Sequence, residues 1–402
     1  MDIFELIKTA KERNASDIHM TADAPPTFRI HGDITRIDEV SPPSSTEMEE
    51  ILAQLTIPKD RESFRRDMEL DWGYTAVGVT RLRCNAAVQQ GRISLSMRLV
   101  KTEIPTIEEL HLPEICRELV RRPRGLFMVS GPTGSGKSTT LASMLNYLNN
   151  MESRRIVTIE DPVEYIFRND KCTILQRELG DDTHSFAQAL KHVLRQDPDV
   201  IMVGEMRDSE TAGAALILAE TGHLVLTTGH APSTSQAVDR VIDLFPVDER
   251  HYAQTRMASL LIGIMCQALI PTLDEEGRRP AIELMLANTA VRALIRDGKI
   301  HQLPNVIRTH AEEGMIILDQ SIGDMYLQGL ISAKNVLAFC NDRAELEKIV
   351  GKIDPKRDKI GKDRPFYKLF EQPRVFDNNW DVKADKEEEA STVIKEYNQN
   401  NR

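Results

Sequence analysis

The sequence predicts an α/β protein of two domains, a small mixed α+β domain over residues 1–100 and a larger α/β core over residues 114–345. Three observations carry this. After residue 114 the near-continuous apolar runs GLFMVS, RIVTIE, DVIMVGE and HLVLTTG alternate with helical patterns. Such runs fit strands buried on both faces of a mainly parallel sheet. Before residue 100 the apolar residues alternate with polar ones, as in RLRCNAAV and ISLSMRLV, the period of half-buried strands. Finally, a glycine-rich stretch follows the first apolar run and opens a helix.

The bulk composition fits that picture. At 402 residues the chain is too long for one ordinary core. Apolar residues make up 41% and charged residues 28%, a soluble globular balance. A net charge of −11 argues against a nucleic-acid partner, which selects a basic surface. Five cysteines, Cys84, Cys116, Cys172, Cys266 and Cys340, are scattered with no C-x-x-C pair, so neither a zinc ribbon nor a redox dithiol has support. They read as buried free thiols of a reducing compartment. The N-terminus, which carries acids and reads as a short amphipathic helix, lacks the charge order and cleavage site of a signal peptide. The most apolar stretch, residues 257–270, includes Ser259 and Gln267 and is shorter than the roughly 20 residues a bilayer requires. A cytoplasmic protein with no transmembrane segment is expected, free to dock on a membrane complex.

In chain order, a first helix ends near Asn14, and residues 27–37 read as a hairpin turning at Gly32-Asp33. A helix is expected over 45–55, then strands over 70–74, 80–87 and 92–100. Residues 101–113, with Pro105 and Pro113, make a linker. In the core, helices are expected over 138–149, 185–195 and 209–220. From about Ser235 the chain reads as mostly helical as far as Cys340. Residues 346–402 form a charged tail, expected to be largely disordered, in which Phe366, Tyr367, Phe370 and Trp380 are placed to pack on the body or on a partner.

Residues 131–139, GPTGSGKST, match G-x-x-x-x-G-K-[ST] in full. Gly131, Gly134 and Gly136 let the backbone turn its N–H groups inward around phosphate, with Pro132, Thr133, Ser135 and Thr139 completing the loop. Lys137 supplies a full charge to the outer phosphates, and the Ser138 hydroxyl is placed to ligate Mg²⁺. ATP with Mg²⁺ is the expected ligand pair.

A phosphate loop alone does not separate a motor from a switch or a kinase; hydrolysis also needs a metal-side acid and a group that positions water. Glu205 ends the buried run DVIMVGE, at the strand edge where open α/β sheets bind ligands. Its carboxylate suits either a second-shell Mg²⁺ partner or a water-orienting base. Glu160, Asp161 and Glu164 crowd the end of RIVTIE, and Glu160 is the expected activator of the attacking water. His223 and His230 flank LVLTTG at opposite ends, and a neutral imidazole can hydrogen-bond a γ-phosphate and report its loss.

Taken together, these boxes resemble the secretion ATPase superfamily, in its type IV pilus retraction (twitching motility) branch. GPTGSGKSTTLA resembles the Walker A box, IVTIEDPVEY the Asp box, DPDVIMVGEMRD a Walker B box built on glutamate, and ETGHLVLTTGHAPST the His box. ASDIHM followed by PPTFRIHGD resembles the opening of the family's PAS-like domain. The resemblance implies a PAS-like α+β domain followed by a RecA-like P-loop core with a helical C-terminal extension. It gives Glu160 the catalytic position, Glu205 the Walker B position, and His223 and His230 the two His-box positions. Arg81, Arg83 and Arg98 match arginines that the family brings to the phosphates from its N-terminal domain. The same likeness implies a homohexamer, an inner-membrane pilus platform protein as partner, and a second pilus ATPase as a further one. The mechanism it implies is a rotation of the two domains when hydrolysis removes the γ-phosphate contacts.

The retraction branch carries a signature resembling A-I-R-N-L-I-R-E; residues 290–297 here read AVRALIRD, departing at Val291, Ala293 and Asp297. On a helix Arg292 and Arg296 share one face, and the expectation is that the pair engages a neighbour. NDRAELEKI is reminiscent of the accessory retraction ATPase, which leaves the sub-branch open. A pilus or secretion assembly ATPase is the nearest rival, but those carry a long extra N-terminal domain and a four-cysteine zinc site, whereas this chain starts at the PAS-like segment and has no C-x-x-C. Against a RecA-like nucleic-acid translocase stand the net acidity and the lack of basic–aromatic clusters. Both Glu160 and Glu205 are present, which weakens a nucleotide-regulated adaptor. Lys137→Ala is expected to remove most ATP hydrolysis from a folded protein; steady-state phosphate release checks it, and near-normal turnover would refute the phosphate-loop reading.

Overall fold

The computed structural model describes residues 2–30, 32–100, 103–274 and 277–353. The tail beyond residue 353, with Phe366, Tyr367, Phe370 and Trp380, lies outside the described residues.

The N-terminal domain is a six-stranded antiparallel sheet with helices on one face. Its elements are α1 (Ile3–Glu12), β1 (Ala15–Thr21), β2 (Thr27–Ile30), β3 (Asp33–Arg36), α2 (Ser45–Leu55), α3 (Pro58–Asp67), β4 (Glu69–Ala76), β5 (Thr80–Gln89) and β6 (Arg92–Leu99). The strand order is β3-β2-β1-β6-β5-β4. Asp2 starts α1 by accepting from the Phe4 and Glu5 amides, and Ser44 with Glu47 forms a capping box at α2. Alternation assigns the faces. Ile18, Met20, Leu82, Cys84, Leu95 and Met97 are buried against Ile7, Met48 and Ile51 of the helices. The residues between them, including Arg81, Arg83 and Arg98, therefore stand on the opposite face, with Arg83 and Arg98 directly paired in register.

The core follows as α4 (Ile115–Arg121), β7 (Gly125–Ser130), α5 (Lys137–Met151), β8 (Arg155–Glu160), β9 (Thr173–Glu178), α6 (Phe186–Val193), β10 (Val200–Val203), α7 (Ser209–Glu220) and β11 (Leu224–Thr228). It continues through α8 (Thr234–Asp243), α9 (Arg250–Leu260), β12 (Leu261–Pro271), β13 (Arg278–Leu286), α10 (Thr289–Arg296), α11 (Leu303–Thr309), α12 (Leu318–Leu327), α13 (Ala333–Phe339) and α14 (Arg343–Val350). Its seven strands run in the order β13-β12-β7-β11-β10-β8-β9, all parallel to their neighbours except β13. The sheet is covered on both faces, as its apolar runs require. Leu126, Val157, Ile201 and Val225 pack with α6 to α11, while Phe127, Ile156, Val200 and Leu224 pack with α4 and α5. In the expected linker, Ile107 and Leu112 are buried in that second layer. Helices α12 to α14 close over Ile270 and Ala281, and α14 carries buried residues to Val350.

One expectation is overturned. Leu261–Pro271 and Arg278–Leu286 are not helical but form the β12–β13 ribbon, with β12 parallel to β7. The run LIGIMCQALI is buried on both sides, and a run of that kind has no period to separate strand from buried helix. Strands β1 and β9 and helix α3 also lie where no element was expected.

The signature at 290–297 does form helix α10, capped by Asn288, but its two arginines part ways. Arg292 Nη1 donates to the carbonyls of Ala258 and Ser259 at 2.7 and 2.6 Å, and its Nε donates to the Ala287 carbonyl at 2.9 Å. It thereby ties α10 to the end of α9, and burial holds its guanidinium below the usual arginine range. Arg296 is exposed. The pair is thus one internal latch and one surface charge, not a shared docking face. Arg292→Ala is expected to cost about 2 kcal/mol of stability, from lost charge-assisted bonds and stranded carbonyls, and Arg296→Ala under about 0.5 kcal/mol. Denaturant unfolding of the two single variants checks the difference.

Candidate functional site

The parallel sheet brings the carboxyl ends of β7, β8, β9, β10, β11 and β12 to one edge. At the end of β7 the chain enters the phosphate loop with φ of +141° at Gly131, +78° at Gly134 and +88° at Gly136. These backbone conformations favour glycine. A Cβ at Gly131 would come within 2.3 Å of the Gln267 carbonyl oxygen on β12, so that position also needs glycine for close approach. Pro132, Thr133 and Gly134 form the exposed rim of the loop, and Ser135 is buried beneath it. Gly136 caps α5, whose first residues Lys137 and Ser138 lie at the positive end of the helix dipole.

Lys137 is 8% exposed, and its Nζ donates to the carbonyls of Gly131 at 2.9 Å and Pro132 at 3.1 Å. Burial lowers its pKa, and the charges of Glu205 and Glu164 oppose that shift. Its partners in the loop are neutral, so its charge is not cancelled there. Ser138 is half-buried on the first turn. Thr139 Oγ1 lies 3.0 Å from the Tyr165 hydroxyl, which fastens the loop helix to the acidic segment after β8.

Glu160 ends β8 and is 7% exposed. Thr158 Oγ1 donates to its Oε1 at 2.6 Å and Gln176 Nε2 at 3.2 Å. Burial nevertheless dominates and pushes its carboxyl up to about 7. Glu178, its register partner on β9, accepts from the Val163 amide at 3.1 Å and so shapes the turn that follows Glu160. Glu205, just beyond β10, lies 3.0 Å through Oε1 from His230 Nε2 and accepts at Oε2 from Arg207 Nε at 2.8 Å. Burial alone would raise its pKa, but the Arg207 and His230 hydrogen bonds and charges outweigh it and hold the group below the ordinary value. A shallow cleft beside Glu205 and His230 is also bounded by Met128, Ser130 and Arg240.

The structure thus gathers the phosphate loop, Glu160, Glu205 and His230 on one edge, and it does not gather the rest. His223 precedes β11 at the opposite edge, where its carbonyl accepts from Gly125 N and its Nδ1 lies 3.0 Å from the Leu218 carbonyl. The length of β7 separates it from the loop by roughly 20 Å, so within one chain it takes no part in the site. Arg81 crosses to the core, with Nη2 3.3 Å from Glu178 Oε2 and 3.2 Å from Asp181 Oδ2. There it holds two carboxylates instead of standing free for phosphate. Arg83 is exposed, and Arg98 donates to Asp17 Oδ1 at 2.7 Å within the N-terminal domain. Tyr165, Gln176, Arg207 and Gln267 were not singled out as site residues. Only Gln267 left a signal, as a lone amide inside the most apolar run of the chain.

A phosphate loop with a buried glutamate of raised pKa and a second, ionised glutamate on the same sheet edge defines a nucleotide-hydrolysing P-loop ATPase. The family model described as "Type II/IV secretion system protein" matches residues 2–314. The type IV pilus retractation ATPase PilT of Pseudomonas aeruginosa is 41% identical over 335 residues, covering 83% of this chain and 97% of that one. The type IV pilus ATPase PilU of the same organism is 38% identical over 350 residues, covering 87% and 91%. A crystal structure of the pilus retraction motor PilT with bound ADP superposes with a TM-score of 0.81 at 40% identity, covering 87% of this chain and 99% of that one. The chain belongs to this secretion ATPase family, in its branch of type IV pilus retraction ATPases.

Glu160 yields a prediction with a definite sign. Its carboxyl titrates near 7 in the folded protein against an ordinary 4.5, so the fold tolerates it best protonated. The penalty is absent below about 4.5, grows as pH rises and is complete above about 7. Glu160→Gln should therefore be more stable than the wild type at pH 8, by on the order of 3 kcal/mol, and nearly equal to it at pH 4.5. Unfolding transitions of the nucleotide-free proteins at the two pH values check this.

Proposed function

We propose that this chain is a Mg²⁺-dependent ATP-hydrolysing motor that powers pilin disassembly in type IV pilus retraction, and hence twitching motility. The observation that carries the reading is the shared sheet edge. One chain presents there a cradle for phosphate, the Lys137 charge, and two glutamates whose environments push their pKa values apart. Divergent environments of that kind mark separate roles for two acids. Glu160, titrating near neutrality, is matched to accept a proton from the attacking water. Glu205, held ionised, and the Ser138 hydroxyl are hard oxygen donors of the type that suits Mg²⁺. Bound there, the cation would neutralise charge on the phosphates. His230, bonded to Glu205, is placed to register the loss of the outer phosphate.

Arg81, Arg83 and Arg98 share one face of the N-terminal sheet, and Arg81 already reaches the β9 end of the core. We assign this arginine face to the outer phosphates when the two domains close, and the opening that follows hydrolysis to the power stroke. His223, remote from its own loop, is assigned to a boundary between subunits. The active form is read as a homohexamer at the cytoplasmic face of the inner membrane, working on a pilus platform protein and alongside a second pilus ATPase. Among the described residues no helix is long and apolar enough to cross a membrane.

Two measurements test this. Glu160→Gln should retain ATP binding but lose roughly 10²-fold or more in kcat; full activity would return the base to Glu205. Deletion of the gene should leave cells with excess surface pili and no twitching, whereas bald cells would identify an assembly motor.

A further inference from the structure

The β12–β13 ribbon carries two buried polar side chains that touch the catalytic loops. Gln267, 3% exposed, donates from Nε2 to the Ser135 carbonyl at 2.5 Å and accepts at Oε1 from Thr140 Oγ1 at 2.9 Å. Its amide thus bridges the floor of the phosphate loop to the first turns of α5. The same residue's carbonyl oxygen fixes how near Gly131 can approach. Glu283, 9% exposed and paired with Cys266 beside Gln267, accepts at Oε1 from both the amide and the hydroxyl of Thr234, each at 2.7 Å. Thr234 opens α8, four residues after His230. A further fastening of that segment is reciprocal: Ser130 Oγ donates to the Ala231 carbonyl at 2.8 Å and accepts from its amide at 2.9 Å. The His230 segment is therefore pinned from β7 on one side and from β13 on the other.

Neither group packs as an apolar core residue would, and burying an amide or a carboxylate is costly unless its bonds are made. The bonds made here are to the phosphate loop and to the starts of α5 and α8, not to the ribbon's own ladder. The ribbon is in turn held by the C-terminal helices, through Ser321 Oγ, which accepts from Ile282 N at 3.1 Å, and through Ile270 and Ala281 packed on Ile322 and Met325.

We propose that Gln267 and Glu283 are positioning residues for hydrolysis, Gln267 setting the phosphate loop and Glu283 setting the His230 segment, so that the C-terminal helices govern both through one ribbon. The inference rests on the ATP-hydrolysis reading above. It separates the two braces by effect. Loss of the Gln267 amide disturbs the cradle and weakens nucleotide affinity. Loss of the Glu283 acceptor frees the His230 segment without touching the cradle and slows turnover.

The test uses the full chain, with equilibrium binding of a fluorescent ATP analogue and steady-state ATP hydrolysis. Gln267→Met, which keeps the volume and removes both bonds, should weaken Kd about tenfold or more. Glu283→Leu should lower kcat about tenfold with Kd unchanged, and Glu283→Gln should restore kcat, since its carbonyl oxygen can accept both Thr234 bonds. Thr140→Val and Thr234→Val each remove one donor at the far end of a brace and should move Kd and kcat respectively in the same directions. They decide the matter if either larger change prevents folding. Folded variants that lose only thermal stability, with Kd and kcat at wild-type values, overturn the proposal. So does a Glu283→Gln variant that behaves like Glu283→Leu. A wild type that does not hydrolyse ATP would instead remove the underlying reading of function.

Discussion

Parallel strands can be paired only by carrying the chain back across a face of the sheet, and each return delivers the next strand's carboxyl end to the same edge. The rest of this molecule depends on that constraint. Three long connections separate Ser130, Glu160, Glu205 and Thr228 in sequence, yet the ladders place them side by side. The edge collects what strands cannot satisfy internally. The first amides of α5 point into it, and carboxylates stand at the ends of β8, β9 and just past β10. Positive potential from a helix start and negative side chains meet there because topology leaves them no other place.

The acids at that edge do not behave alike, and the cause is local. Glu160 is sealed by Thr158, Gln176 and the turn that Glu178 shapes, and its neutral donors do not offset the cost of its desolvation. Glu205 has an exposed arginine and a histidine within hydrogen-bond reach, so its charge is answered. A difference of one strand position in the sheet separates an acid that takes up a proton near neutrality from one that remains ionised.

Much of this was legible in the residues. The glycine loop, the apolar runs and the α7 and α2 boundaries are local signals, and local signals survive folding: Asp208 and Ser44 cap the helices they precede. Glu160, Glu205 and His230 could be placed because each ends or follows a run whose direction the parallel pattern fixes. The β12–β13 ribbon could not, because a strand buried on both faces has no alternation, and its pairing with β7 joins residues more than a hundred positions apart. With the ribbon went Gln267 and Glu283. Arg292 and Arg296 show a second limit. Helical spacing puts them on one side, but only the carbonyls left at the end of α9 decide that one turns inward.

The arginines of the N-terminal sheet follow from the same kind of reasoning about faces. Because Leu82, Cys84 and Met97 must go into the core of that domain, Arg81, Arg83 and Arg98 are driven together on the other side. Asp17 answers Arg98 and, more distantly, Arg29, which leaves the face with more positive than negative charge. Arg81 spends its charge on Glu178 and Asp181, so the domain is held to the core by the carboxylate that also shapes the turn after Glu160. Anything that draws Arg81 away from Glu178 therefore alters the support of Glu160 as well as the seat of the domain. Domain position and the chemistry of the site are joined at the buried Glu178 side chain.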